Sequence, residues 1–250
     1  MLAASLNGLI GHAVLVIGLV ASLFGAMSLA YGTVVADRRI LRTAPNYAWL
    51  AAATAVAAFA VMMHALLTYD FSLAYVQQVG SRSTPLLFNI TAIWSALEGS
   101  ILLWLMVLAG YTAIIMRRYR KRLDDPLIAW ALVTMFAVTA FFFFLAFGPT
   151  DVFAAGAPGV TDGPGPNPLL QNHILVMFHP PILYLGYVGF TVPFAFAIGA
   201  LATGRVGEGW LLETRRWALF AWGFLGVGII LGGWWSYEVL GWSGVWAWDP

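Results

Sequence analysis

The sequence contains no cysteine, and it contains few charged residues of either sign. The first absence excludes disulfides, thiolate metal sites and a cysteine nucleophile. Charged residues make up 9% of the 250 residues, whereas a soluble domain carries about 25%. The net charge is +1, so no face is basic enough to displace the counterions of a phosphate backbone. An ordinary soluble protein and a nucleic-acid partner are therefore both disfavoured.

Long apolar runs take the place of the missing charge. Hydrophobic residues make up 61% of the chain, and about 20 apolar residues suffice for a helix to cross a bilayer core. The first run lacks the basic start of a secretory signal peptide, so we interpret it as a retained span. The sequence predicts an all-α integral membrane protein, a bundle of about six transmembrane helices. The predicted spans are 8–31, 46–68, 87–116, 127–147, 178–203 and 214–235.

Basic residues are concentrated in alternate loops. Eleven of the twelve Lys and Arg residues follow the first or third span or lie between the fifth and sixth, and only Arg82 lies on the other side. Basic loops stay on the inner side of a membrane. The pattern predicts that the N-terminus, segments 69–86 and 148–177, and the residues after 235 lie outside.

The chain divides into a transmembrane helical bundle, residues 1–233, with an outer loop at 148–177, and an aromatic C-terminal segment, residues 234–250. The loop is rich in Gly and Pro, which favour turns and extended chain. The segment is interrupted by Gly and polar residues and is too short to span, so we expect an amphipathic stretch along the outer face. We expect the native protein to continue beyond Pro250, because the sequence stops directly after its most distinctive motif.

Tryptophan is concentrated near the C-terminus, where eight of the twelve Trp residues fall between 210 and 250. Flat aromatic faces can stack on a planar, apolar macrocycle, and a Trp N–H can meet one of its polar substituents. An interfacial anchoring belt is the alternative interpretation. The spacing of Trp242, Trp246 and Trp248, followed directly by Asp249-Pro250, is unusual for such a belt.

The four histidines, His12, His64, His173 and His179, all lie near the predicted outer face. Neutral imidazole is a standard axial ligand of haem iron. His179 is the strongest candidate, because the two prolines that follow it indicate a rigid helix start, where Pro is tolerated. The alternative for each histidine is a hydrogen-bonded structural role, which we expect for His12 and His64.

Glu98 falls within the third predicted span, one turn after Trp94, so we expect the two side chains to share a helix face. A charged carboxylate inside a membrane costs on the order of 3 kcal/mol. We therefore expect Glu98 to be protonated or partnered. A functional role, such as positioning a cofactor edge or relaying protons, and a structural hydrogen bond are both open.

Several stretches resemble known haem-handling proteins. The segment 242–250, WSGVWAWDP, resembles the start of the tryptophan-rich WWD motif of cytochrome c-type biogenesis proteins. The segments 167–172, NPLLQN, and 179–186, HPPILYLG, resemble the outer loop of CcmF-type cytochrome c haem lyases. The segment 98–104, EGSILLW, is similar to the same branch, although Leu97 stands where members often have His. Gly11-His12 in the first span is also similar to the CcmF-type branch.

The resemblance implies an enzyme, a cytochrome c haem lyase (holocytochrome c synthetase) of the bacterial inner (plasma) membrane. Such a protein receives haem on the outer face and promotes its thioether attachment to the CxxCH motif of apocytochrome c. The implied partners are apocytochrome c, a haem chaperone, thiol-reducing biogenesis proteins and membrane lipid. His179 would be an axial ligand of the haem iron. The residues that would cradle the haem are Trp234, Trp235, Trp242, Trp246, Trp248 and Asp249.

The family's second outer histidine, and two intramembrane histidines that hold a haem b, lie downstream of the WWD motif. We therefore expect the 250-residue chain alone to be inactive. Three alternatives stay open. A transporter or channel subunit would line a pathway with mid-membrane charges, for which only Glu98 qualifies. A redox subunit would need paired histidines inside the spans. A non-catalytic assembly scaffold would need only partner contacts.

Overall fold

The computed structural model describes residues 5–171, 173–205, 207 and 209–239. Within these residues the chain is helical, with one isolated antiparallel bridge between Leu73 and Ala155. The predicted all-α class is confirmed. The helices are α1 Leu6–Val34, α2 Arg38–Leu41, α3 Ala44–Leu67, α4 Ala74–Val79, α5 Leu86–Thr91, α6 Leu97–Tyr119, α7 Pro126–Phe147, α8 Pro168–Gln171, α9 Leu175–Gly189, α10 Thr191–Thr203 and α11 Gly209–Val239, with a 3-10 turn at Ala92–Trp94.

Six helical segments of the described chain are long and apolar enough to cross a membrane. They correspond one to one with the predicted spans, so the predicted membrane bundle is confirmed. Helices α2 and α3 together form the second segment, and α9 and α10 together form the fifth. The segments are Leu6–Val34, Arg38–Leu67, Leu97–Tyr119, Pro126–Phe147, Leu175–Thr203 and Gly209–Val239.

The predicted third span, 87–116, is wrong at its start. The chain forms the short α5 and the 3-10 turn, then passes through Ala96 in an extended conformation before α6 begins. The hydroxyls of Thr91 and Ser95 bond to backbone carbonyls three residues earlier, at 3.2 and 2.8 Å. Such local bonds offer the backbone an alternative to a continuous helix. Trp94 and Glu98 therefore do not share a helix face, contrary to the prediction.

The sixth span is longer than predicted. Helix α11 runs to Val239, so Trp234 and Trp235 lie in its last turns. The sequence has no Gly or Pro between Gly233 and Gly241, so nothing local stops the helix at residue 235. Residues 240–250 lie outside the described residues, and with them Trp242, Trp246, Trp248 and Asp249. Their position along the outer surface stays a prediction.

Three aromatic rings pack against a row of glycines on α1. Two of the rings belong to α7 and the third follows that helix in the chain. The glycines recur every seventh residue, which keeps them on one helix face. An added Cβ at Gly18 would lie 2.1 Å from the Phe143 ring. Without a hydrophobic drive between helices in lipid, this close van der Waals packing holds the bundle together. The pairs are Gly11 with Phe153, Gly18 with Phe143 and Gly25 with Phe136.

Small residues also allow α9 and α11 to pack closely against each other. A Cβ at Gly186 would lie 2.1 Å from the backbone nitrogen of Leu225, and one at Gly189 would lie 3.1 Å from the Cβ of Ala221. The prediction that the spans pack through Gly18, Gly25, Gly186 and Gly189 is therefore confirmed.

The three basic loops meet at one end of the bundle, which we call the basic end. Ion pairs connect them: Arg38 with Asp124 at 2.6 Å, Arg122 with Glu213 at 2.6 Å and Arg205 with Asp125 at 2.7 Å. The Glu213 carboxylate raises the pKa of Arg122. Exposed pairs add little stability, but these pairs place the alternate basic loops together. We call the opposite end, which holds all four histidines, the histidine end.

Replacing Gly18 with Ala should destabilise the bundle by about 1–3 kcal/mol, the usual cost of overpacking a close helix contact. The loss can be measured as unfolding in detergent. Gly110→Ala is the control, because no atom lies within 4 Å of a Cβ there. Truncating the ring in Gly18→Ala/Phe143→Leu should recover part of the loss. Equal stability of the Gly18 and Gly110 variants would contradict the packing described here.

Candidate functional site

His179 lies half-buried where α9 crosses α11, with its Nδ1 2.8 Å from the carbonyl oxygen of Gly228. A carbonyl oxygen can only accept a hydrogen bond, so Nδ1 carries the proton and Nε2 carries the lone pair. Within the described chain, Nε2 has no hydrogen-bond partner. Metal-binding histidines usually donate their other ring N–H to a carbonyl or carboxylate in this way. This tautomer of His179 leaves Nε2 open, as metal binding through that nitrogen requires.

Two glycines on α11 make room for this side chain. A Cβ at Gly232 would lie 2.6 Å from Cε1 of His179, and a Cβ at Gly228 would lie 2.7 Å from Cα of Leu183. Residues four apart lie on the same helix face. The Gly228–Gly232 face therefore lets α9 approach closely enough for the imidazole to reach a backbone carbonyl.

The His-Pro-Pro sequence lies inside α9 rather than at its start. His179 is the fifth residue of the helix, so the prediction that it opens the helix is wrong. Pro180 has no N–H to donate to the carbonyl of Val176, four residues earlier. The indole Nε1 of Trp94 donates to that carbonyl instead, at 2.8 Å. A side chain before the third span thus completes the hydrogen bonding of the helix that carries His179.

Trp235 lies beside His179 on the last turns of α11. The ring centroids are 5.7 Å apart with an interplanar angle of 60°, and the indole also stacks on His173 at 6.5 Å and 19°. Its Nε1 is buried and has no hydrogen-bond partner among the described residues. A buried, unpaired donor costs about 1–3 kcal/mol. This N–H is available to a polar group of a ligand.

Glu238 forms hydrogen bonds with two other side chains of the site. Its carboxylate accepts hydrogen bonds from Nε1 of Trp234 and from Nε2 of His173. Nδ1 of His173 accepts from the backbone N–H of Leu175 at 3.2 Å, so Nε2 holds the proton. Both nitrogens of His173 are therefore engaged, and His173 positions the stacked indole rather than offering a lone pair. Sequence reasoning missed Glu238, although its spacing of four from Trp234 was a signal.

His12 and His64 belong to a separate polar network at the histidine end. Nε2 of His12 bonds to Asp151 at 2.7 Å, and Nδ1 of His64 bonds to Asn7, which donates to Asp70 at 2.7 Å. Partial burial alone would raise the pKa of the Asp70 carboxyl, but its hydrogen bonds outweigh burial and lower that pKa. Both histidines have the structural role predicted for them.

Arg82, the one basic residue predicted outside the basic loops, also lies near this network. Its guanidinium stands 5.2 Å from the centre of the Tyr69 ring. Its backbone N–H donates to Asp162 at 3.0 Å and holds the pKa of that carboxyl below its ordinary value.

Glu98 lies in the first turn of α6, with Oε2 buried and without a hydrogen-bond partner among the described residues. The positive end of the helix dipole favours a carboxylate at this position. The hydroxyl of Tyr75 donates to the carbonyl of Ala92 at 2.9 Å, and burial raises the pKa of this hydroxyl. Glu98 is therefore at a helix start near the histidine end, away from the middle of a span.

Residues 94–250, well over half of the chain, match the family model described as cytochrome c assembly protein. The chain belongs to this family. The matched region begins at Trp94, which donates to α9, and includes His179, Trp235 and Glu238.

Within the cytochrome c assembly family, the chain is similar to CcmF proteins. The chain is 39% identical to the cytochrome c-type biogenesis protein CcmF of Pseudomonas aeruginosa, over 96% of this chain and 36% of that protein. It is 36% identical to CcmF of Escherichia coli, over 96% of this chain and 37% of that protein. The solved structure of "Cytochrome c Heme Lyase CcmF" matches with a TM-score of 0.82 at 40% identity, over 100% of this chain and 40% of that chain. The CcmF-type resemblance is confirmed, and the chain spans well under half the length of these relatives.

The described residues fit a haem, whose iron His179 would hold through its single open nitrogen. No three His, Asp or Glu side chains converge on a metal-ion position in the part of the chain that the structure describes. The Trp235 ring and its unpaired N–H match the apolar face and polar edge of such a ligand.

Gly232→Ala should destabilise the protein by about 1–3 kcal/mol, because the added Cβ collides with the imidazole of His179. The same substitution in a His179→Ala background should cost almost nothing, since the colliding ring is gone. Unfolding of the four proteins of this double-mutant cycle measures the coupling. Gly226→Ala is the control, with open space around its Cβ. A penalty that persists without the imidazole would place the strain elsewhere.

Proposed function

We propose that the protein is a cytochrome c haem lyase that receives haem at the histidine end and promotes its thioether attachment to the CxxCH motif of apocytochrome c. The observation that carries the proposal is the open Nε2 of His179 beside Trp235, with Nδ1 held by the carbonyl of Gly228. The names of the CcmF relatives support the same activity.

Each side chain of the site has a proposed role. His179 binds the haem iron through Nε2, and the Gly228 carbonyl keeps the ring in the required tautomer and orientation. The Trp235 indole packs against the haem face and donates its free N–H to a polar substituent. Glu238 fixes Trp234 and His173, and His173 stacks on that indole. Trp242, Trp246, Trp248 and Asp249, beyond the described residues, complete the proposed cradle.

Bound haem supplies the vinyl groups to which the substrate thiols add, so the bond-forming chemistry belongs to cofactor and substrate. The protein contributes binding, orientation and exclusion of side reactions. The absence of cysteine in this chain fits such a role, because no thiol of its own competes with the substrate for the vinyl groups.

The proposed arrangement in the bacterial inner membrane puts the histidine end outside. Its support is the concentration of eleven of the twelve basic residues in loops of the opposite end. We propose that residues 1–233 are the supporting bundle and that 234–250 begin the haem-handling segment. Apocytochrome c, a haem chaperone and thiol-reducing proteins would meet the protein at the histidine end.

Two alternatives fit the structure less well. A transport pathway needs ionisable groups near the middle of the spans, but Glu98 lies at a helix start. A redox subunit with haem between spans needs paired histidines at one depth. Among the described residues at the α9–α11 contact, only His179 has a nitrogen free for a metal, since Glu238 and Leu175 engage both nitrogens of His173.

His179→Ala in the full protein should lose bound haem or change its axial-ligand spectrum, because the proposed iron ligand is removed. Reduced-minus-oxidised spectra and haem quantitation measure this. Trp235→Phe, which keeps a ring but deletes the N–H, should weaken haem binding without changing the axial-ligand spectrum. His64→Ala is the matched control, a histidine of the same end outside the site. Unchanged haem content and spectrum in His179→Ala would refute the proposed ligand and favour an assembly scaffold.

The absence of cysteine permits a clean test of orientation. A membrane-impermeant maleimide should label Ala157→Cys, in the exposed loop at the histidine end, in intact spheroplasts. It should label Lys121→Cys, at the basic end, only after permeabilisation. The reverse pattern would invert the proposed orientation.

A further inference from the structure

A cavity of about 460 Å³ lies at the basic end, between the end of α6 and the first turns of α11. Three guanidinium groups surround it, and aromatic and aliphatic side chains form the rest of its wall apart from one carboxylate. The lining residues are Arg118, Leu212, Glu213, Arg215, Arg216, Trp217 and Phe220.

The described residues around this cavity neutralise its positive charge only in part. The ion pairs of this end use other arginines, and none of Arg118, Arg215 and Arg216 forms one within the described residues. Glu213 is committed elsewhere, because it accepts from Arg122 at 2.6 Å and from the Tyr119 hydroxyl at 2.8 Å. The cavity therefore has three cations and one engaged anion.

The wall of the cavity changes from charged to aromatic along α11. In the wall, Arg216 is followed by Trp217 and Phe220. Phe224 lies beyond the wall on the same helix, and the rise from 216 to 224 is about 12 Å. Trp217 and Phe220 each lie 6.5 Å from the Tyr111 ring of α6, and Phe220 and Phe224 are 4.6 Å apart. Because α11 is a candidate span, the charged groups lie near its end and the aromatic rings lie closer to the middle of the span.

We propose that this cavity binds the phosphate of an anionic phospholipid, whose acyl chains lie along the aromatic side chains of α11. Guanidinium groups recognise phosphate through paired hydrogen bonds. Basic pockets between transmembrane helices are known to suit anionic lipid head groups. Inorganic phosphate could use the arginines but would leave the rings of Trp217 and Phe220 uncovered, so the lipid is the better match. The proposal is independent of the haem lyase function.

Such a lipid would connect α6 to the start of α11. The far end of α11 carries Gly228, Gly232 and Trp235, which form the wall of the histidine site. A lipid bound at the basic end would therefore stabilise the helix on which that site is built.

The test is lipid retention by the purified full chain in nanodiscs of phosphatidylcholine with a minor fraction of phosphatidylglycerol or cardiolipin. Native mass spectrometry counts the retained anionic lipid. Arg215→Gln/Arg216→Gln should retain about 30-fold less, since each basic residue near a membrane surface contributes roughly fivefold to anionic lipid affinity. The control is Arg39→Gln/Arg117→Gln, which removes the same charge at the same end outside the cavity wall.

Further variants distinguish the possible outcomes of this experiment. Arg215→Lys/Arg216→Lys keeps the charge but loses the paired guanidinium hydrogen bonds, so its retention should fall between that of the unaltered protein and that of the glutamine pair. Retention as low as in the glutamine pair would contradict a charge-based contribution. Phe220→Ala should lower retention with all arginines intact. An equal loss in the control pair would reduce the site to general surface charge. Unchanged retention in the glutamine pair or in Phe220→Ala, or displacement of lipid by millimolar inorganic phosphate, would overturn the proposal.

Discussion

The site depends on one hydrogen bond, from the imidazole of His179 to the backbone carbonyl of Gly228. The carbonyl belongs to a continuous helix, α11, and each carbonyl oxygen has two lone pairs, so it can accept from a side chain as well as from the helix. A neighbouring helix reaches such a carbonyl only where the facing surface lacks side chains, and Gly228 and Gly232 provide that surface. The bond fixes the tautomer of His179 and thereby decides which nitrogen is open.

The rest of the protein supports this contact through groups far apart in sequence. Pro180 removes a hydrogen-bond donor from α9, and the carbonyl that it leaves is bonded by Trp94, 82 residues before Val176. An unpaired carbonyl would be costly in a membrane, where no water replaces the missing donor. Glu238, at the other end of the site, fixes Trp234 and His173 together. Pro180 is thus tolerated inside α9 because Trp94 supplies the hydrogen bond that the proline cannot make.

Sequence reasoning predicted the six spans and the shared end of the basic loops. Its choice of His179 as the haem ligand stays a prediction. It was wrong about the start of the third span, where hydroxyl groups of Thr91 and Ser95 divert the backbone. It was also wrong about the start of α9, because the helix begins four residues before His179. Glu238 and the bond made by Trp94 were missed, because their partners His173 and Val176 lie 65 and 82 residues away in the sequence.

The sequence by itself determined how many times the chain can cross a membrane and at which end its charge collects. Both follow from local properties, the length of apolar runs and the positions of Arg and Lys, which need no knowledge of packing. Only the tertiary structure decided which histidine at the contact between α9 and α11 keeps a free nitrogen. That choice depends on hydrogen-bond partners 49 residues away for His179 and 65 residues away for His173, and only the packing of α9 against α11 brings those partners together.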